Sequence, residues 1–132
     1  MRIYFSTTSR DLPKAKALMR RIEEAGHTIT FDWTIGREDE HTMSEAELTA
    51  RAIYDIDGVR TADLVIVYMQ PKMADKGMTG AAIEMGAALV MRTPVVVVEE
   101  EATFDHFFKH HTAITKVPTM QDALDVVEGK KP

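Results

Sequence analysis

The run Leu64-Val65-Ile66-Val67, the helix-length segment Gly80-Ala81-Ala82-Ile83-Glu84-Met85-Gly86-Ala87-Ala88-Leu89-Val90-Met91 and the run Pro94-Val95-Val96-Val97-Val98 decide the fold. Neither short run alternates apolar with polar residues, which suits strands covered on both faces, as in a parallel sheet. The segment between them is small, apolar and long enough to be the crossover helix that parallel strands require. It carries one ionisable side chain, Glu84. Burying an unpaired charge is costly, so a lone acid on such a helix needs a reason. It stands where a strand and a polar loop (Gln70 to Thr79) lead into a helix, the edge of a parallel sheet that collects chemistry. The alternative is that Glu84 only benefits from the positive end of the helix dipole.

The same alternation extends in both directions. Arg2 to Ser6 reads as a first strand. A helix follows with Ser9 and Asp11 as candidate N-caps, Pro13 in its first turn, Ala15, Leu18, Met19, Ile22 and Ala25 at helical spacing, and Gly26 as its stop. His27 to Trp33 reads as a second strand, and Ile35 to Met43 as a polar, irregular, candidate mobile loop. Ser44-Glu45-Ala46-Glu47 opens the next helix as a capping box, with Leu48, Ile53, Ile56 and Val59 along it. Thr112 to Val117 reads as a fifth strand, and Thr119 to Asp122 caps a last helix bearing Ala123, Leu124, Val126 and Val127. Five β/α units without a linker or repeat predict one α/β domain over residues 1–132, doubly wound and flavodoxin/Rossmann-like. The expected strand order of the five-stranded parallel sheet is 2-1-3-4-5, with a crevice at strands 1 and 3.

Composition narrows the partners. A net charge of -5 with no Lys/Arg stripe argues against nucleic acid, and the cluster Lys14, Lys16, Arg20 and Arg21 reads as a solvated helix face. With no cysteine there is no disulfide, thiol nucleophile or thiolate metal site. Met1-Arg2-Ile3-Tyr4-Phe5 enters a strand rather than a leader, and no apolar stretch reaches membrane-spanning length, so a cytoplasmic protein is expected. The nine methionines read as core filler. Trp33 reads either as a core aromatic or as a pocket wall that stacks on a base.

The crevice rule selects Tyr4 to Arg10, Gln70 to Thr79, and Glu84. Asp63, at the start of the third strand, belongs to the opposite edge and reads as a local turn or cap. Asp55 lies near a helix end, where the dipole disfavours a carboxylate, and needs a specific partner. One alternative is a surface salt bridge to Arg51 or Arg60. For Tyr4 the alternative is a strand residue that packs with its hydroxyl at the rim.

Four segments in order resemble the nucleoside 2-deoxyribosyltransferase superfamily, which includes the 2′-deoxynucleoside 5′-monophosphate N-glycosidases. They are Ile3-Tyr4-Phe5 before a short polar loop, Asp55-Ile56-Asp57-Gly58-Val59-Arg60-Thr61-Ala62-Asp63, Gly80-Ala81-Ala82-Ile83-Glu84-Met85-Gly86-Ala87-Ala88, and Pro94-Val95-Val96-Val97. The likeness runs from Arg2 to Val98 and makes residues 1–132 a domain of that type. It implies that Glu84 is the nucleophile on the anomeric carbon, that Asp55 protonates the leaving base, and that Tyr4 orients the nucleophile. It further implies a substrate-binding loop, Ser6-Thr7-Thr8-Ser9-Arg10, from which Ser6, Thr8, Ser9 and Arg10 hold a 5′-phosphate, and Gly80 as a further substrate-binding residue. Hydroxyls and a guanidinium beside a helix N-terminus suit an anion. The alternative is that Ser9 caps the helix and Arg10 is solvated. Three departures stand out: the loop after the first strand lacks glycine, Ala82 replaces the second glycine before Glu84, and Glu99 to Thr115 contains no counterpart of the family's later phosphate-binding serine.

The resemblance implies cleavage of the N-glycosidic bond of a deoxynucleoside 5′-monophosphate, or of a deoxynucleoside, with the sugar passed to water. Base exchange on free deoxynucleosides is the close alternative. A phosphoribohydrolase of the lysine-decarboxylase-like type ranks third, because its proline- and glycine-rich loop is missing. A silent nucleotide-binding module on the same fold is the alternative from another class. The partner is then a small-molecule nucleoside or nucleotide. No metal or organic cofactor is implied, since carboxylates do the chemistry, and a homodimer or larger homo-oligomer is expected. His106, His110 and His111 contain an i, i+4 pair but no third ligand in a recognised spacing, and read as an exposed helix face. Glu99-Glu100-Glu101 reads as a solvated acidic run.

Overall fold

A computed structural model describes residues 1–73, 78–101 and 107–130. Its five parallel strands are β1 (Arg2–Ser6), β2 (Thr28–Ile29), β3 (Leu64–Tyr68), β4 (Val95–Val98) and β5 (Ile114–Val117), in the order β2-β1-β3-β4-β5. The expected strand order is therefore the observed one. All of β3 and β4 is buried. Burying one such apolar side chain contributes about 1.5–3 kcal/mol, so these continuous runs fix the centre of the sheet.

The helices are α1 (Leu12–Glu24), α2 (Glu45–Arg60), α3 (Thr79–Val90) and α4 (Met120–Val127). Asp11 caps α1 by accepting from the Lys14 amide, Ser44 and Glu47 form a reciprocal capping box on α2, and Thr119 caps α4. Of the two candidate caps for α1, Asp11 is the one used. Arg21 on α1 donates to Gln121 on α4 at 3.4 Å, while α2 packs against α3. Right-handed crossovers thus place α1 and α4 on one face and α2 and α3 on the other. The chain changes direction between β1 and β3, which leaves a crevice at their carboxyl ends.

Three expectations are corrected. The second strand is only Thr28–Ile29, not His27 to Trp33. Beyond it the chain is drawn off the sheet by side-chain bonds: Thr30 Oγ1 donates to the Gly58 carbonyl (2.7 Å), the Thr34 amide donates to Asp32 (3.0 Å), and Trp33 Nε1 donates to the Phe5 carbonyl (2.8 Å). Within the loop expected from Ile35 to Met43, Arg37–Thr42 forms a 3-10 helix. Along α2 only Gly58 and Val59 are buried, and Leu48, Ile53 and Ile56 are exposed. The Glu99-Glu100-Glu101 run is also paired rather than simply solvated: its members meet Lys109 (2.9 Å), the Tyr68 hydroxyl (3.0 Å) and Lys14 (3.0 Å).

Candidate functional site

Strand periodicity begins the site. Tyr4 and Ser6 are two residues apart on β1, so both project to the face covered by α2 and α3. Ser6 Oγ donates to Glu84 Oε1 at 2.7 Å, and the Tyr4 hydroxyl lies 2.6 Å from Glu84 Oε2. The same hydroxyl makes a short hydrogen bond with Asp55 Oδ1. Three elements, β1, α2 and α3, therefore converge on one phenol oxygen. Tyr4 is fully buried, so its hydroxyl is not a rim group, and its partners fill the role that solvent would otherwise play.

Asp55 sits within α2, more than one turn before its end. Neither arginine weighed as its salt-bridge partner pairs with it. Arg60 pairs with Asp57, and Arg51 donates to the carbonyls of Trp33 (2.7 Å) and Ile35 (2.9 Å). Glu84 lies in the second turn of α3, past the first turn in which a helix dipole acts strongly. Its position is explained by the hydroxyls that it meets. Asp63 takes the expected structural role and accepts from the Arg2 amide at 2.8 Å.

The electrostatics follow from burial. Glu84 is only 8% exposed, and desolvation, with the Asp55 carboxyl next in importance, pushes its pKa well above the usual carboxylate range. The bonds from Ser6 and Tyr4 act in the opposite direction. The Tyr4 phenol is held far above its ordinary range by burial and then by the negative charge of Glu84 and Asp55. A phenol has one proton and can donate to one carboxylate at a time. Both short contacts are hydrogen bonds at once only when one of the two carboxyls carries a proton.

Gly58 explains how α2 comes so close. A Cβ at this position would lie 2.8 Å from Phe31 Cβ and 3.0 Å from Tyr4 Cδ2. Only a hydrogen fits between the helix and the tyrosine ring one turn from Asp55. Gly58 is a positioning residue that sequence reading placed in a motif without giving it a task.

A cleft of about 520 Å³ opens over the cluster. Asp55 and Glu84 lie at its base with Thr7, and Ser9, Arg10, Thr79, Gly80 and Ala81 line it. The residues expected to bind substrate divide. Ser9, Arg10 and Gly80 face the cleft, whereas Ser6 is spent on Glu84 and Thr8 is buried, accepting from the Arg10 amide at 3.2 Å. Ser9 does not cap α1; its Oγ accepts from Arg37 at 3.2 Å. Trp33 is nearly buried, a core aromatic that also forms part of the cleft wall. Arg37, Glu40, Arg51 and Phe31 also line the cleft and were missed. For Arg37 and Glu40 the one signal was the concentration of charge between Ile35 and Met43.

Among the described residues no group of three or more His, Asp or Glu is arranged to hold a metal ion. His106 lies outside the described residues, His110 Nδ1 is 3.1 Å from Lys116 Nζ, and His111 Nδ1 accepts from the Ala113 amide. Among the described residues no helix is long and apolar enough to cross a membrane.

Comparison with known proteins places this arrangement. Two solved structures share the fold. One is a 2-deoxyribosyltransferase from the psychrotolerant bacterium Bacillus psychrosaccharolyticus, at TM-score 0.73 and 18% identity, covering 100% of this chain and 98% of that one. The other is the CMP N-glycosidase of Clostridium botulinum, at TM-score 0.54 and 18% identity, covering 97% of this chain and 98% of that one. No curated protein matches the sequence at a significant level. The family model for nucleoside 2-deoxyribosyltransferase matches residues 3–116, which take in β1, the Asp55 segment, the Glu84 helix and most of β5, and the chain therefore belongs to that family.

Proposed function

We propose that this protein cleaves the N-glycosidic bond of a 2′-deoxynucleoside 5′-monophosphate through a covalent glycosyl–Glu84 intermediate and passes the sugar to water. The observation that carries the reading is the single Tyr4 hydroxyl held between the carboxyls of Asp55 and Glu84. Glycosidic cleavage passes through an oxocarbenium-like state and needs one ionised carboxylate and one carboxyl that can hold a proton. In the reacting form Glu84 is the ionised member of the pair, supported by the Ser6 and Tyr4 hydroxyls against its burial, and Asp55 carries the proton. A protonated Asp55 then donates to the phenol oxygen while the phenol donates to Glu84.

In the first step a Glu84 oxygen bonds to C1′ as the C1′–N bond breaks. The electron pair leaves with the base, which takes the proton of Asp55. In the second step a water oxygen bonds to C1′, Asp55 takes the proton that this water releases, and the Glu84–C1′ bond breaks with net retention. Replacing the water by a second base turns the same chemistry into base exchange, the activity for which the family is named. Arg10 and Ser9 at the cleft favour a phosphorylated substrate, because a guanidinium beside a hydroxyl suits a phosphate.

Exposed Leu48, Ile53, Tyr54 and Ile56 on α2 and Ile83 and Val90 on α3 favour a homodimer or larger assembly. Light scattering on the eluting protein checks this, and a monomer mass would remove it.

The function is tested by chromatographic base release from deoxynucleosides and from their 5′-monophosphates, each with and without a second free base. Free base from monophosphates, lost in Glu84→Gln, is the expected result. A swapped nucleoside would make the protein a transferase, and the absence of any Glu84-dependent product would overturn the reading.

A further inference from the structure

The missed charges of the cleft form a unit of their own. Arg37 extends from the 3-10 helix, and its two terminal nitrogens are divided between partners. Nη2 donates to Ser9 Oγ at 3.2 Å, and Nη1 pairs with Glu40 Oε2 at 2.5 Å. All three residues line the same cleft as Arg10 and the carboxyl cluster. The other interior-facing cation, Arg51, is committed to two backbone carbonyls, and by that bond it fastens the segment from which Arg37 projects. Gly36, at φ 73°, supplies the left-handed turn between the fastened carbonyl of Ile35 and Arg37.

We propose that Arg37 is the second guanidinium of the 5′-phosphate subsite and that Glu40 is its internal competitor, displaced when a substrate phosphate arrives. The proposal rests on the monophosphate reading above and adds the specificity device. A guanidinium fork matches two oxygens of a carboxylate or of a phosphate, so a phosphate can take over the contact that Glu40 makes. The two side chains are partly exposed, and Glu40 Oε2, itself shielded from water, is held by this ion pair without a further hydrogen bond among the described residues, so a phosphate has one contact to replace. Ser9 then belongs to both states, since its hydroxyl meets Arg37 and lies on the loop that carries Arg10. Until it is displaced, Glu40 sets a negative charge beside the subsite. The subsite therefore discriminates between anions: a weakly binding one does not repay the displacement of Glu40, whereas a phosphate tethered to a bound nucleoside does.

Calorimetric titration of deoxyribose 5-phosphate and of free deoxyribose, together with steady-state base release, tests the device. Arg37→Ala is expected to weaken deoxyribose 5-phosphate binding about 10-fold and to raise the monophosphate-to-nucleoside ratio of KM values by a similar factor. Glu40→Gln is expected to act in the opposite sense, tightening phosphate binding about 3- to 5-fold, a gain that misfolding would not produce. In the double variant the Glu40→Gln gain is expected to vanish, because Glu40 acts through Arg37. Tightening that persists without Arg37, or no change in either single variant, would overturn the proposal. Titration needs no turnover, so the two readings fail separately. Base release from monophosphates with an indifferent Arg37 sinks only the lock, whereas Arg37-dependent phosphate binding without base release sinks only the glycosidase.

Discussion

At the base of the cleft, Tyr4, Ser6, Asp55 and Glu84 come from one strand and two helices, and their hydroxyls and carboxyls are tied to one another. At the mouth, Ser9, Arg10, Arg37 and Glu40 come from connecting segments, and their side chains are partly exposed with few partners each. The base is built so that no group can move alone, which suits a bond-breaking step that needs fixed geometry. The mouth can exchange one partner for another, which suits recognition. On the proposed function, reaction type and substrate choice fall to different kinds of structure within one cleft.

The strongest way to break this division is Glu84→Gln. Base release is expected to fall by about 10⁴-fold or more, as when a nucleophile is removed from a unit that acts together, and quenched-time-point chromatography reads it. Residual turnover near the wild-type rate would show that the base of the cleft is not where the bond breaks.

The next test touches no polar group. Gly58→Ala places a methyl against Tyr4 and Phe31. Overpacking of this kind costs about 1–3 kcal/mol, and a displaced tyrosine is expected to lower kcat by about 10²-fold, the scale of a 1 Å misplacement. A thermal melt and kcat measured together decide it. Loss of stability with full kcat would mean that the phenol position is not critical.

At the mouth the expectation is smaller and falls on a different parameter. Arg10→Ala is expected to raise KM for monophosphates by about 10-fold, on the scale of one charge-assisted contact, and to leave KM for free deoxynucleosides the same within error. Equal effects on both substrates would remove the phosphate role and blur the contrast.

The smallest effect is on stability and separates burial from catalysis. The folded-state pKa of Glu84 lies above its unfolded value, so between the two the native state binds the extra proton. Stability from this group is then complete below the unfolded value and is lost as pH rises through the folded one. Glu84→Gln removes that loss. Its melting temperature is expected to exceed the wild type's by about 4 °C at neutral pH, the shift that roughly 1 kcal/mol produces in a domain of this size. The difference should disappear toward pH 4. A gap that grows on acidification would reverse the assigned sign.

The sequence by itself determined the sheet and where its chemistry would lie. Uninterrupted Leu64–Tyr68 and Val95–Val98 can be satisfied only by burial on both faces, and that forces parallel strands, crossover helices and a crevice at the switch of direction. A lone Glu84 on an apolar helix was legible for the same reason, because local patterning makes an unpartnered charge conspicuous. The early end of β2 and the pairing of Arg37 with Ser9 were not legible. Each depends on a contact between residues far apart in the chain, such as Thr30 with Gly58 or Arg51 with the Trp33 carbonyl. The meeting of the Tyr4 hydroxyl with both Asp55 and Glu84 was decided by tertiary structure. Periodicity can place a residue on a face, but only packing brings three acidic groups from three elements within hydrogen-bond reach and keeps water from separating them.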